Sequence, residues 1–304
     1  MKKILGYLKD YAADADRRIV ALTMLFTAAA VYINYGQGLN DRILDLDYHL
    51  QFVAWYLVFL AAFIFPYLLL VVFRKKNPFR YGAFVALLLI APAIFAWKMY
   101  YDPAFSFSDD KVTNAYWNRV VYFPFKLLVV VAMLFPLWMI FNRGESFYGL
   151  TAKGFEPKPY LLMLLIMVPL IAAASTQPDF LAMYPKLKSI SSFTEQHTSG
   201  WYKFIYELSY GIDFVGIELF FRGFLVLAFV KWAGKDALLP MACFYCTIHF
   251  GKPVGECISS FFGGLLLGIL TLHTRTILGG LMVHLGIAWL MEIGGYLGRS
   301  VGEW

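Results

Sequence analysis

The sequence predicts an all-α, polytopic membrane protein of eight or nine transmembrane helices. Hydrophobic residues make up 60% of the 304-residue chain and charged residues only 15%, whereas a soluble domain carries roughly 25% charged residues. A surface this poor in charge has to face lipid. The aromatic content of 19% agrees with this fold class, since Trp and Tyr collect at membrane interfaces.

Nine apolar segments follow one another along the chain, and a helix needs about 20 mainly apolar residues to cross a bilayer. The seventh segment is short and ends close to Pro253. Because proline cannot continue a helical hydrogen-bond ladder, we expect this segment to cross only part of the bilayer. The nine predicted spans are residues 18–35, 51–73, 81–99, 121–141, 160–175, 206–230, 237–250, 255–272 and 277–293.

Charge in the connecting loops predicts the orientation of the chain. Lys and Arg concentrate at the N-terminus and in alternate loops, including residues 74–76, whereas the first loop carries Asp41, Asp45 and Asp47. Because cytoplasmic loops hold the excess of Lys and Arg, the N-terminus is predicted to be cytoplasmic and the C-terminus external. The N-terminal stretch lacks the pattern of a cleaved signal peptide. We therefore predict a multi-pass protein of the cell (inner) membrane.

The chain is predicted to form a single membrane domain, residues 1–304. Residues 1–205 supply helices and loops, and residues 206–293 form the functional core, because intramembrane ionisable candidates concentrate there. The longest polar stretches, 101–117 and 177–201, are interpreted as extramembrane connections, with a lid over a site as the alternative. The net charge is +6, but no basic stripe is interleaved with exposed aromatic residues. Membrane lipid, and not nucleic acid, is the predicted partner.

Four ionisable residues lie inside the late apolar segments: Glu218, Arg222, His249 and His284. A charged side chain at membrane depth costs roughly 2.5–3.5 kcal/mol on insertion scales, and such residues usually serve a function. Glu218 and Arg222 are four residues apart, which places them on one face of an α-helix. A carboxylate, two imidazoles and an arginine suit activation of water and stabilisation of an oxyanion. Taken singly, each residue has a simpler structural interpretation, as half of an ion pair or as a hydrogen-bonded core histidine.

Cysteines near these residues raise the alternative of a metal site. Cys243 and Cys246 precede His249, and thiolates together with imidazoles bind zinc. Two thiols three residues apart inside a helix seldom converge on one metal, and buried cysteine commonly packs as a small apolar residue. We therefore predict no metal and no cofactor. The three cysteines are an odd number in apolar surroundings, which also argues against a disulfide framework.

The sequence around these positions resembles the motifs of a known family. Over residues 206–291, three stretches occur in order on separate apolar segments and correspond to the patterns Glu-Glu-x-x-x-Arg, Phe-x-x-x-His and His-x-x-x-Asn. They are similar to those of the CAAX prenyl protease and bacteriocin-processing (CPBP, or ABI) family of intramembrane proteases. The corresponding stretches are residues 217–223 (IELFFRG), 245–249 (YCTIH) and 284–288 (HLGIA).

The resemblance implies a helical membrane fold and hydrolysis of a peptide bond. The hypothesis built on it makes Glu218 the base or water-binding group and Arg222 its orienter. It further assigns His249 as the second water ligand and His284 as the donor to the oxyanion, without a metal. The implied substrate is a peptide or protein, including lipidated ones, since eukaryotic members cleave prenylated C-terminal peptides.

Three positions depart from the family pattern. Ile217 stands where the first Glu belongs, the residue to which the family assigns the base, and Ala288 replaces the Asn. Tyr245 replaces the Phe and adds a hydroxyl to the ring. Three interpretations remain open: Glu218 takes over as base, another carboxylate supplies the missing function, or the protein is a non-catalytic scaffold or immunity protein. The other carboxylates considered are Asp213, one turn before Ile217, Glu292, two turns after His284, and Glu256 in the loop after His249.

The sequence therefore predicts an intramembrane endopeptidase that depends on glutamate and histidine. A transporter is a weaker alternative, because it would need broken helices and a polar path in both halves of the chain. Few charges lie inside the earlier apolar segments, which counts against a polar path through the first half of the chain.

Overall fold

The computed structural model describes residues 2–302, and this range folds entirely as helices, turns and loops without a β-strand. Helix accounts for 83% of the structure, which confirms the predicted all-α class. A π-helix, Leu219–Ala228, interrupts the α-helical order. The α-helices, α1 to α14 in chain order, are Lys2–Asp14, Arg17–Gln37, Leu39–Leu44, Tyr48–Arg74, Gly82–Tyr100, Lys111–Phe141, Pro157–Ala174, Pro178–Met183, Ser191–Gln196, Gly200–Glu218, Val230–Ala233, Leu238–Thr247, Val254–Thr274 and Leu278–Gly302.

Seven helices of the described chain are long and apolar enough to cross a membrane. Each corresponds to one of the nine predicted spans, although several helices extend beyond the apolar stretch. The 27 residues of α4 and the 31 residues of α6 exceed the length that a bilayer requires. By the length and composition of its helices, the chain is a multi-pass membrane protein. The seven helices are α2, α4, α5, α6, α7, α13 and α14.

The two other predicted spans differ from a simple membrane-crossing α-helix. The span predicted over 206–230 consists of the end of α10 followed by the π-helix, so the hydrogen-bond pattern changes directly after Glu218. The span predicted over 237–250 is α12, whose ten residues rise about 15 Å. That is half of the roughly 30 Å hydrocarbon core, in agreement with the expectation that this segment is short.

The chain packs as two compact units. The first comprises Met1–Tyr101, Leu134–Phe155 and Leu219–Leu278. Its core is aromatic, and all ten residues of the π-helix are buried in it. Edge-to-face contacts between rings add about 0.5–1.5 kcal/mol each beyond the area they bury. Three such contacts, with their centroid distances, are Phe63–Phe229 at 5.2 Å, Phe95–Phe221 at 5.0 Å and Phe221–Phe244 at 5.2 Å.

The second unit comprises Asp102–Met133, Glu156–Glu218 and Gly279–Trp304. The long polar stretch predicted over 177–201 is folded within it, because two short helices and a 3₁₀ turn form there. Phe193 of this stretch stacks on Tyr116 of α6, with ring centroids 4.1 Å apart. The stretch is therefore a packed part of the second unit.

Within the second unit, α6 supports the helix that ends at Glu218. The Ser209 hydroxyl of α10 donates to the carbonyl oxygen of Val120 in α6. Two turns later, Gly216 has no side chain, and Leu127 of α6 lies against that position. These contacts hold the last turns of α10 and thereby fix the direction of Glu218.

Candidate active site

A ten-residue π-helix begins directly after Glu218 and contains Arg222. π-Helices are rare and appear mostly as single-turn bulges, frequently at functional sites, so an element of this length marks residues 219–228. Its i→i+5 hydrogen bonds widen the turn relative to an α-helix. The prediction that Glu218 and Arg222 share one helix face assumed α-helical spacing. Residues 219–228 do not have that spacing.

A neighbouring turn presses its backbone against the π-helix at Gly223. A Cβ at Gly223 would collide with the carbonyl oxygen of Tyr148, so only glycine fits. Tyr148 has left-handed backbone angles (φ 43°, ψ 46°), and its buried ring lies 5.3 Å from the ring of Phe224. The sequence prediction did not include this turn. The signal for it is the Tyr-Gly pair, in which Gly149 also has a positive φ of 75°.

Glu218, the last residue of α10, is hydrogen-bonded to His284 of α14. Its Oε1 lies 2.9 Å from Nδ1 of the imidazole. The carboxylate side chain is 0% exposed, whereas the His284 side chain is 14% exposed. When Nδ1 carries the proton and donates to the carboxylate, Nε2 bears the basic lone pair. The structure thus brings together two of the four residues predicted for the site.

Gly280 allows the first turn of α14 to approach the Glu218 carboxylate. A Cβ at this position would overlap Oε2 of Glu218. Gly280 is the third residue of α14, where the N-terminal amides of a helix carry partial positive charge. The start of α14 therefore places this partial positive charge beside the Glu218 carboxylate.

Apolar side chains border the Glu218–His284 pair. The Phe214 ring, one turn before Glu218, lies edge-on to the imidazole with centroids 4.7 Å apart. Phe214 belongs to a cluster that also holds Ile217 and Ala288. The two positions at which the family pattern has Glu and Asn are therefore apolar members of one cluster. In such surroundings, attraction between a carboxylate and a protonated imidazole is stronger than in water.

Arg222 and His249 lie in the first unit, and Tyr245 contacts both. The Arg222 guanidinium is fully buried, and its Cζ lies 4.0 Å from the centroid of the Tyr245 ring. Such a cation–π contact contributes about 2 kcal/mol when desolvated. The Tyr245 carbonyl oxygen lies 2.9 Å from Nδ1 of His249. Tyr in place of the family's Phe keeps the ring on which the arginine rests.

The other carboxylates considered from the sequence have structural partners. Glu292 accepts the backbone N–H groups of Lys186 at 2.7 Å and Leu187 at 3.1 Å, so it anchors the packed stretch 177–201 to α14. Glu256 forms an ion pair of 3.4 Å with the lysine four residues before it. Asp213 is half-buried on α10.

A buried lysine in α6 was overlooked in the sequence. Lys126 is 1% exposed, and its Nζ lies 4.9 Å from the centre of the Tyr122 ring. Lys126 and Tyr122 thus form a polar pair inside α6, one of the candidate membrane spans. The signal was a single Lys in the otherwise uncharged stretch 121–141.

The three cysteines are buried free thiols with different surroundings. Cys243 accepts a hydrogen bond of 3.3 Å from Thr27, whereas Sγ of Cys246 lies 3.8 Å from Sγ of Cys257. The two thiols of the Cys-x-x-Cys spacing thus have different neighbours. Among residues 2–302, no group of three or more His, Cys, Asp or Glu side chains is arranged to hold a metal ion.

The later part of the chain is similar to one known protein family. Residues 201–290 match the family model described as type II CAAX prenyl endopeptidase Rce1-like. The match covers under a third of the chain and contains all four residues singled out from the sequence, so the resemblance of the three motifs is confirmed. No curated protein and no solved structure matches the chain.

Proposed function

We propose that this chain, which carries a segment of the Rce1-like type II CAAX prenyl endopeptidase family, is itself an intramembrane endopeptidase. The observation that supports this proposal best is the buried Glu218 carboxylate bonded to His284 on a second membrane helix. A carboxylate and an imidazole in contact form a proton-transfer pair. The name of the matched family makes a peptide with a prenylated C-terminal segment the first substrate to test.

In the proposed reaction, His284 handles the proton and Glu218 supports it. Nε2 of His284 takes a proton from a water molecule as the water oxygen attacks the peptide carbonyl carbon. Glu218 stabilises the imidazolium that forms, as buried carboxylates do in catalytic triads. The tetrahedral intermediate then breaks its C–N bond, and the imidazolium returns the proton to the leaving amine. This assignment exchanges the roles expected from the motifs, because the carboxylate is buried and the imidazole is the more exposed partner.

We assign Arg222 and His249 to the same reaction on the basis of the motif resemblance. A His249 tautomer with its Nδ1 proton directed at the Tyr245 carbonyl presents Nε2 as a second ligand for water. Arg222 supplies a permanent positive charge that opposes the negative charge of the intermediate. The position of the arginine depends on the ring of Tyr245.

The variant Glu218→Gln tests the proposal. An amide cannot carry the negative charge that stabilises the imidazolium, and it can hold the ring in the wrong tautomer. We expect turnover to fall on the order of 10⁴-fold, the effect of the same change in a serine-protease triad. The measurement is product formation, followed by mass spectrometry, from quenched peptides with and without a C-terminal prenyl group, using protein in lipid nanodiscs.

The matched control is Glu292→Gln, the same chemical change at the residue that anchors the 177–201 stretch. It is expected to keep turnover within a few-fold of the parent protein. Equal turnover by Glu218→Gln and the parent would refute the assigned site.

A non-catalytic membrane scaffold is the second candidate function, and the apolar cluster around Ile217 and Ala288 favours it. These residues leave the site without the Glu and the Asn of the family pattern. A scaffold predicts that Glu218→Gln retains its function in cells. It also predicts that the purified parent protein cleaves none of the peptides.

A further inference from the structure

We propose that Cys246 and Cys257 form a redox-modifiable thiol pair, whose oxidation to a disulfide restrains the loop that carries His249. The two sulfur atoms are 3.8 Å apart. Each thiol also lies near the backbone carbonyl oxygen of the other residue, at 3.3 Å and 3.6 Å. The side chains thus face each other across α12 and α13, and both belong to the first unit.

The helices are close enough for a bond between these sulfurs. A disulfide holds its sulfurs about 2.05 Å apart, with Cβ atoms roughly 3.8 Å apart. The sulfurs therefore need to approach each other by less than about 2 Å, which rotation of the two side chains can supply. Close packing nearby supports this geometry, since a Cβ at Gly264 of α13 would lie 2.8 Å from the Tyr245 ring of α12.

Cys246, although buried, borders an apolar cavity, and this cavity is the proposed entry for a membrane-soluble oxidant. The cavity has a volume of about 290 Å³ and lies between α2 and α13. Cys246 lines it together with Met24, Val31, Ile258 and Phe261. Apolar walls favour an uncharged oxidant of the quinone class over a charged one. In the reaction, two thiols lose two electrons and two protons and form one S–S bond, and the quinone becomes a hydroquinone.

The pair brackets the segment that carries His249. The His249 amide donates to the Cys246 carbonyl oxygen at 3.0 Å, so the backbone of the cysteine is bonded directly to the histidine. Two residues of α2 hold the rest of the loop: Asn34 donates to the Phe250 carbonyl oxygen at 2.9 Å, and Tyr35 donates to that of Lys252 at 2.6 Å. A covalent link across the base of this short loop removes conformational freedom that these hydrogen bonds leave.

Thiol counting tests the chemistry. Protein in liposomes is treated with duroquinone, a fully substituted quinone that does not readily alkylate thiols, and then denatured and labelled with maleimide. The parent protein is expected to fall from three labelled thiols to one and to yield a peptide linked between residues 246 and 257. Dithiothreitol is expected to restore all three.

Serine variants identify the partners. Cys243→Ser is the matched control, because Cys243 is paired with Thr27, and it should fall from two labelled thiols to none. Cys246→Ser and Cys257→Ser should each keep both remaining thiols. Three labelled thiols in the oxidised parent protein, or a loss of thiols in Cys257→Ser, would overturn the proposal.

Amide hydrogen exchange tests the effect on the loop. Residues 248–252 of the oxidised parent protein should exchange at least several-fold more slowly than in the reduced protein, and Cys257→Ser should show no such difference. Equal exchange rates in a protein shown to contain the disulfide would contradict the restraint. Neither measurement reads peptide hydrolysis, so the result is independent of the proposed function.

Discussion

The Glu218 side chain is the residue on which the proposed chemistry depends, and its burial needs a physical explanation. A carboxylate removed from water is stabilised when it is hydrogen-bonded and when positive charge lies nearby. His284 provides the hydrogen bond at 2.9 Å, and the N-terminal turn of α14 provides positive charge. Both come from the same helix. A substitution that shifts α14 should therefore also disturb the Glu218 carboxylate.

Gly280→Ala tests that dependence at the scale of one methyl group. The added Cβ overlaps Oε2 of Glu218, so either α14 shifts or the carboxylate leaves its position. Overpacking of this kind destabilises by about 1–3 kcal/mol. We expect this loss in the free energy of unfolding, measured in mixed micelles, and a parallel loss of turnover.

Gly263→Ala serves as the control for this substitution. Gly263 lies inside α13, and a methyl group added there would meet no heavy atom within 4 Å, so alanine should stabilise the helix by up to about 1 kcal/mol. A Gly280→Ala protein as stable and as active as the Gly263→Ala protein would show that Glu218 does not need the close approach of α14.

Among the helices, the π-helix differs most from what the sequence predicted. Hydropathy and Pro253 were sufficient to predict the long spans and the short α12, because those features follow from apolar length and from a missing N–H group. The switch after Glu218 was not predictable, because it coincides with a long-range contact between Gly223 and the backbone of Tyr148. The spacing of the sequence suggested Glu218 as the partner of Arg222, and it gave no indication of the Tyr245 ring, which lies on another helix.

Gly223→Ala is predicted to disrupt the π-helix. Its Cβ would overlap the carbonyl oxygen and the Cβ of Tyr148, and neither backbone nor a buried ring can give way easily. We expect a loss of about 1–3 kcal/mol or more in the free energy of unfolding. The measurement is unfolding in mixed micelles together with turnover of the quenched peptide.

The comparison variant for this change is Gly216→Ala, in the last turn of α10 just before the π-helix begins. A Cβ there would lie at an ordinary 3.6 Å from the Leu127 side chain, so stability should change by less than about 1 kcal/mol. If the two alanine variants unfold alike, the fit of Gly223 against Tyr148 has no energetic importance.

At the scale of the whole molecule, the family motifs predicted more of the site than of its surroundings. The motifs located Glu218 and His284, which the structure joins. Part of the framework comes from residues outside the matched segment 201–290. In the first unit, α2 holds the loop of His249, and in the second, α6 supports α10. Such support depends on tertiary contacts that no local pattern encodes.

The orientation of the chain is still a prediction, and it is testable by labelling. The distribution of Lys and Arg predicts that Lys153 faces the cytoplasm and Asp109 faces the outside. Cysteines introduced at these positions should react with a membrane-impermeant maleimide in inside-out vesicles and in intact cells, respectively. The three native cysteines are buried and should give little background. Labelling of both positions from the same side would contradict the predicted topology.

Lys126 has a consequence for how the protein is made. An apolar helix leaves the translocon for lipid readily, but a lysine near its middle opposes that step by roughly 2.5–3.5 kcal/mol. On either side of Lys126 in the sequence, α6 contacts α10 at Val120 and Leu127, and α10 is synthesised much later. Newly made α6 is therefore expected to stay at the translocon until α10 has been synthesised. The charge of Lys126 thereby determines the order in which these helices enter the membrane.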